Sequence, residues 1–108
     1  MARMVRFSMY LSKPEHAAFE HEALEGGYPN VASWMRGACN ERVRKHETNL
    51  PRSVGELRPV RFEMRLDEVE HAKYQVEVGE EKRASLAEWV RDVCNAKVKR
   101  AARRAATG

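Results

Sequence analysis

The chain repeats itself. Val5-Arg6-Phe7-Ser8-Met9-Tyr10-Leu11 returns as Val60-Arg61-Phe62-Glu63-Met64-Arg65-Leu66, a displacement of 55 positions from Val5 to Val60. The same displacement, without a gap, lays Glu15-His16-Ala17 on Glu70-His71-Ala72, Trp34 on Trp89, Arg36 on Arg91, Cys39-Asn40 on Cys94-Asn95 and Val43 on Val98. Of the 41 positions from 5 to 45, 16 are identical to their counterparts. Compositional bias does not put tryptophans, cysteines and phenylalanines into one register, so the repeat is a duplication. At 108 residues, there is room for one compact domain or two very small intertwined units.

Each copy reads the same way. Val5, Phe7, Met9 and Leu11 alternate with Arg6, Ser8 and Tyr10, and Val60, Phe62, Met64 and Leu66 alternate with Arg61, Glu63 and Arg65. That is the period of a strand with one buried face. A helix start follows: Ser12-Lys13-Pro14-Glu15 offers a capping serine, a first-turn proline and a glutamate three residues on, and Asp67 with Glu70 plays those parts in the second copy. The first helix is expected to stop at Gly26-Gly27, and its counterpart near Gly79. A second helix then starts at Asn30 and at Ser85, where Ser85-Leu86-Ala87-Glu88 forms another capping box. Its apolar stripe takes Val31, Trp34, Met35, Ala38 and Cys39, then Leu86, Trp89, Val90, Val93 and Cys94. His46 to Pro59, with Pro51 and Gly55 inside it, reads as a linker, and Ala101 to Gly108 as a fraying helical tail made basic by Arg103 and Arg104.

Strand, helix, helix is incomplete by itself. A lone strand cannot satisfy its own backbone N–H and C=O groups, and so short a unit buries too little apolar surface. A partner with the same elements completes both the strand pair and the core, and here the partner is covalently attached. A linker of about 14 residues reaches about 45 Å, more than the span of so small a domain. The expected fold is therefore mostly α with a two-stranded antiparallel β ribbon: repeat 1 over 1–45, the linker over 46–59, repeat 2 over 60–100 and the tail over 101–108, the repeats forming one intramolecular pseudo-dimer.

Composition narrows the function. Lys and Arg number 20 against 16 Asp and Glu, a net charge of +4 that leans toward nucleic acid. No uncharged apolar run approaches the roughly 18 residues of a membrane span, and the amino terminus has no apolar run of the secretory kind, so a cytoplasmic protein is expected. Two cysteines fit a reducing compartment. There is no P-loop, HExxH, CxxC pair or nucleophile elbow, so neither catalysis nor a cofactor or metal is expected.

These residues resemble the ribbon-helix-helix DNA-binding proteins, the Arc/MetJ/CopG superfamily, over 4–45 and 59–100. The most specific stretch is Ser85-Leu86-Ala87-Glu88-Trp89-Val90-Arg91, similar to the family's second-helix pattern; the first copy departs from it with Asn30 and Ser33. Fused two-copy members of the TraY type give the tandem form a precedent. The resemblance implies a protein that binds double-stranded DNA through an antiparallel ribbon in the major groove and is nucleoid or plasmid associated. Alternation then turns Arg6, Ser8 and Tyr10 and Arg61, Glu63 and Arg65 toward the bases. Because the two outward sets differ, unequal half-sites are expected. The resemblance also puts backbone phosphates at the second-helix N-termini, gripped by Asn30 and Val31 on one flank and by Arg83, Ser85 and Leu86 on the other. The favoured role is a transcriptional repressor occupying an operator, with further copies of the chain along DNA left open as partners. The alternatives are a relaxosome accessory protein partnered by a relaxase, or an antitoxin-type module partnered by a toxin.

The plainer readings run alongside. Trp34 and Trp89 read as core residues rather than stacking platforms, and Cys39 and Cys94 as small apolar core residues, with a metal or redox pair as the sharper alternative. His16 and His71 read as partly buried and hydrogen-bonded, with a pH or metal sensor as the alternative. Glu22 with Arg36 and Glu77 with Arg91 read as helix-to-helix ion pairs, and Arg42, Arg44 and Lys45 or Lys97, Lys99 and Arg100 as clusters for non-specific DNA contact.

Overall fold

A computed structural model describes residues 3–45, 49–55 and 57–107. His46, Glu47, Thr48 and Glu56 of the expected linker, and Gly108 of the tail, lie outside the described residues. The chain runs β1 (Met4–Leu11), α1 (Lys13–Glu25), α2 (Val31–Lys45), β2 (Val60–Asp67), α3 (Glu68–Glu80) and α4 (Leu86–Thr107). It is mostly helical, with one two-stranded antiparallel sheet. No helix among the described residues is long and apolar enough to cross a membrane.

β1 pairs with β2 across the whole length of both, from Met4 opposite Asp67 to Leu11 opposite Val60. The register puts Ser8 opposite Glu63. These two residues are each other's counterparts in the repeat, so any twofold relation between the copies passes between them. Phe7, Met9, Leu11, Met64 and Leu66 are buried and Val5, Val60 and Phe62 partly so, because one face of the ribbon lies on the helices. A bare two-stranded ribbon is marginal in water; that apolar face is what keeps it folded.

Both first helices begin with a complete capping box. Glu15 N donates to Ser12 Oγ (3.1 Å) and Ser12 N to Glu15 Oε1 (2.8 Å); Glu70 N donates to Asp67 Oδ1 (2.7 Å) and Asp67 N to Glu70 Oε1 (3.1 Å). The second oxygen of each glutamate crosses to the other copy. Asn95 Nδ2 donates to Glu15 Oε2 and Asn40 Nδ2 to Glu70 Oε2, both at 2.8 Å. One repeated Glu and one repeated Asn thus form two equivalent hydrogen bonds between the copies.

Each copy holds one aromatic pair in the core. Phe19 lies against Trp34 and Tyr74 against Trp89, ring centroids 5.3 Å apart in both pairs. Both tryptophans are buried, as are Leu11, Met35, Leu66 and Val90 of the same core. Cys39 and Cys94 are free thiols with no exposure. Burial, with the Cys94 thiol beside it, pushes the Cys39 thiol well above its ordinary range, which makes it a poor nucleophile.

α3 reaches Gly79 as expected and ends one residue on, at Glu80; the left-handed residue after it is Lys82 (φ 56°), the counterpart of Gly27 (φ 74°). The tail is helical as expected, α4 running without a break from Leu86 to Thr107. The described part of the linker packs on the fold. Leu50 is buried, Arg83 Nη2 donates to Leu50 O (2.6 Å), Ser53 N donates to Asp92 Oδ1 (2.8 Å), and Asn95 Nδ2 donates to Ser53 Oγ (2.8 Å). One expectation is corrected: Arg36 does not pair with Glu22; its Nη1 donates to the Arg65 carbonyl of β2 (3.0 Å) and its Nη2 to Ser33 Oγ (3.4 Å). Packing of α2 against β2 sets that strand carbonyl within reach of the Arg36 guanidinium.

Candidate nucleic-acid interface

The outward face of the ribbon collects the six residues that alternation singled out. Arg6, Ser8, Tyr10, Arg61, Glu63 and Arg65 are all exposed, Tyr10 by 54%. Antiparallel pairing sets them in three cross-strand rows: Arg6 opposite Arg65, Ser8 opposite Glu63, and Tyr10 opposite Arg61. The face carries three arginines and one carboxylate, a local excess of positive charge in a chain whose two copies are otherwise nearly balanced. Glu63 Oε1 accepts from Arg61 Nη2 (2.8 Å) and, more loosely, from Ser8 Oγ (3.4 Å). Among the described residues Arg6 and Arg65 make no ion pair.

The second-helix N-termini are capped as the sequence suggests. Asn30 Oδ1 accepts from Ser33 N (2.8 Å) and Ser85 Oγ from Glu88 N (3.1 Å). Two first-turn amides remain at each end without an intrahelical acceptor, on Val31 and Ala32 and on Leu86 and Ala87. The side chain of Leu86 is buried and that of Val31 partly buried, so these residues offer an anion only their backbone N–H groups. The Ser85 box is not reciprocal: Glu88 Oε2 accepts from Ala84 N (3.3 Å) rather than from Ser85, while Oε1 takes Arg52 Nη1 (2.8 Å).

Arg83 does not stand free beside Ser85. Its side chain is 5% exposed, with Nε on Asp92 Oδ2 (2.6 Å), Nη1 on the Glu81 carbonyl (2.8 Å) and Nη2 on the Leu50 carbonyl. Every arm of the guanidinium is engaged inside the protein, which withdraws it from the phosphate-gripping set. Arg42 likewise leaves the expected basic cluster, buried against Glu81 Oε1 at 2.9 Å. Lys97 is drawn to Glu41 (3.5 Å) and over the Trp34 ring, 5.8 Å from its centroid. Burial selects these inward partners, and sequence spacing carries no sign of it.

What sequence reading missed is the Glu15–Asn95 and Glu70–Asn40 pair of bonds, together with Asp92. The repeated Asn after each cysteine was the available signal for the first. Asp92 had none, since its counterpart is Gly37 and that of Arg83 is Tyr28. In the first copy this corner is closed by the Tyr28 ring, whose hydroxyl lies 3.3 Å from where a Gly37 Cβ would be. Comparison of the chain with family models, with curated proteins and with solved structures finds no match in any of the three.

Proposed function

We propose that this chain is a sequence-specific double-stranded DNA-binding protein of tandem ribbon-helix-helix type, its two copies forming one intramolecular pseudo-dimer, and that it acts as a transcriptional repressor by occupying an operator. The observation that carries the reading is the two-faced ribbon: an apolar face seated on the helices and an exposed face bearing Arg6, Arg61 and Arg65. A B-DNA major groove about 12 Å wide admits such a ribbon, and arginine donates in pairs to guanine O6 and N7. The capped N-termini of α2 and α4 supply amides and positive dipole ends suited to phosphates, which fix register without reading sequence.

Binding to sites selected from a random duplex library, measured by anisotropy over a salt series, tests the proposal. About six neutralised phosphates give a slope of log affinity against log salt near about −5. Arg6→Ala and Arg65→Ala are expected to relax base preference, whereas Ser85→Ala weakens all sites alike. A slope near zero, or unchanged base preference in both arginine variants, refutes the reading.

A further inference from the structure

The geometry points to a target that is not a palindrome: the ribbon has a guanine-reading end at Arg6 and Arg65 and a chemically different end at Tyr10 and Arg61, so the protein sits on duplex DNA in one orientation. This rests on the DNA-binding reading above. The argument starts from the register. Arg6 and Arg65 are direct cross-strand partners on the exposed face. Like charges placed directly opposite each other, with Cβ atoms roughly 5 Å apart, destabilise a strand pair. Glu63, which lines the same end, is held by another arginine: its Oε1 takes Arg61 Nη2 at 2.8 Å. A cleft of about 180 Å³ lined by Arg6, Glu63, Met64 and Arg65 opens at this end. Two uncompensated guanidinium groups beside a cleft match acceptor-rich base edges, and guanine presents two acceptors in the major groove.

The other end differs in each particular. Tyr10 replaces an arginine, and Arg61 enters the complex already tied to a carboxylate. Glu63 sits at the centre of the ribbon, opposite its own counterpart Ser8, and donates nothing when ionised. It therefore disfavours an acceptor such as guanine O6 beneath it and suits the amino group of cytosine. Tyr10 offers a ring to a thymine methyl. Two identical strands would present the same end twice; the duplication has let the two diverge.

The test is selection with the full chain, followed by affinities for the selected site and for the two palindromes made by repeating either half. We expect an asymmetric consensus, with both palindromes bound about tenfold or more weakly. Arg6→Ala and Arg65→Ala should erode guanine preference at the same end, and Arg61→Ala should leave that end unchanged. Glu63→Ser, which copies Ser8 and frees Arg61, should narrow the gap between the selected site and the palindrome of its guanine-rich half to about threefold or less. A palindromic consensus bound tightly, or loss of preference at opposite ends in Arg6→Ala and Arg65→Ala, overturns the inference and leaves DNA binding standing. Failure to enrich any sequence overturns the DNA-reading proposal itself.

Discussion

Asp92→Ala is the most informative single change outside the ribbon. Asp92 is 2% exposed and accepts two hydrogen bonds, from Arg83 Nε at 2.6 Å and from Ser53 N at 2.8 Å. Truncation strands a guanidinium that is itself 5% exposed, leaving it only the carbonyls of Glu81, Leu50 and Pro51. It also orphans the Ser53 amide. Breaking one side of a buried pair costs about 3–5 kcal/mol, and an unsatisfied buried amide adds about 1–3 kcal/mol. Because the linker can lift and admit water, we expect a net loss of about 3 kcal/mol. That is a large part of the roughly 5–15 kcal/mol that holds a domain of this size, and it lowers Tm by about 12 °C. Urea unfolding followed by the fluorescence of the buried Trp34 and Trp89 measures it. Arg83→Met and the double variant complete a cycle in which the double costs less than the sum of the singles by about 2 kcal/mol, since neither charge is then left alone. A loss below about 1 kcal/mol for Asp92→Ala, or additivity in the cycle, refutes the claim that a buried ion pair pins the linker.

Two further outcomes follow from the repeat. Burial, with Cys39 and Glu70 nearby, pushes the Tyr74 hydroxyl well above the ordinary tyrosine range, and this hydroxyl donates to Asn40 Oδ1 at 2.6 Å. Below pH of about 10 both folded and unfolded chains keep the proton; above it only the unfolded chain releases it, so stability falls as pH rises. Tyr74→Phe, which installs the residue found at the equivalent position 19, should cost about 1 kcal/mol at neutral pH and flatten that alkaline decline in urea titrations. Gly27→Ala should destabilise by about 1 kcal/mol through its φ of 74° alone, since an added Cβ meets nothing within 4 Å. Lys82→Gly, at the matching φ of 56°, should stabilise by about 0.5 kcal/mol by thermal melts. Equal signs for the two changes would show that the left-handed turn is not strained.

The sequence determined the alternation that sorts Val5, Phe7, Met9 and Leu11 inward and Arg6, Ser8 and Tyr10 outward, the caps at Ser12, Asp67, Asn30 and Ser85, and the repeat that supplies a second strand. These are local or periodic properties, fixed by side-chain spacing along one backbone and therefore readable without a fold. Tertiary structure alone decided which polar groups find each other. Arg83 and Arg42 looked like free surface cations from their neighbours in sequence, yet each is buried against an acid: Asp92, nine residues on from Arg83, and Glu81, in the other copy from Arg42. Glu15 revealed its capping role by its spacing from Ser12, but its bond to Asn95, 80 positions away, exists only once α1 packs on α4. A buried charge selects its partner by proximity in a low-dielectric interior, and that proximity is a property of the packed chain, not of the order of its residues.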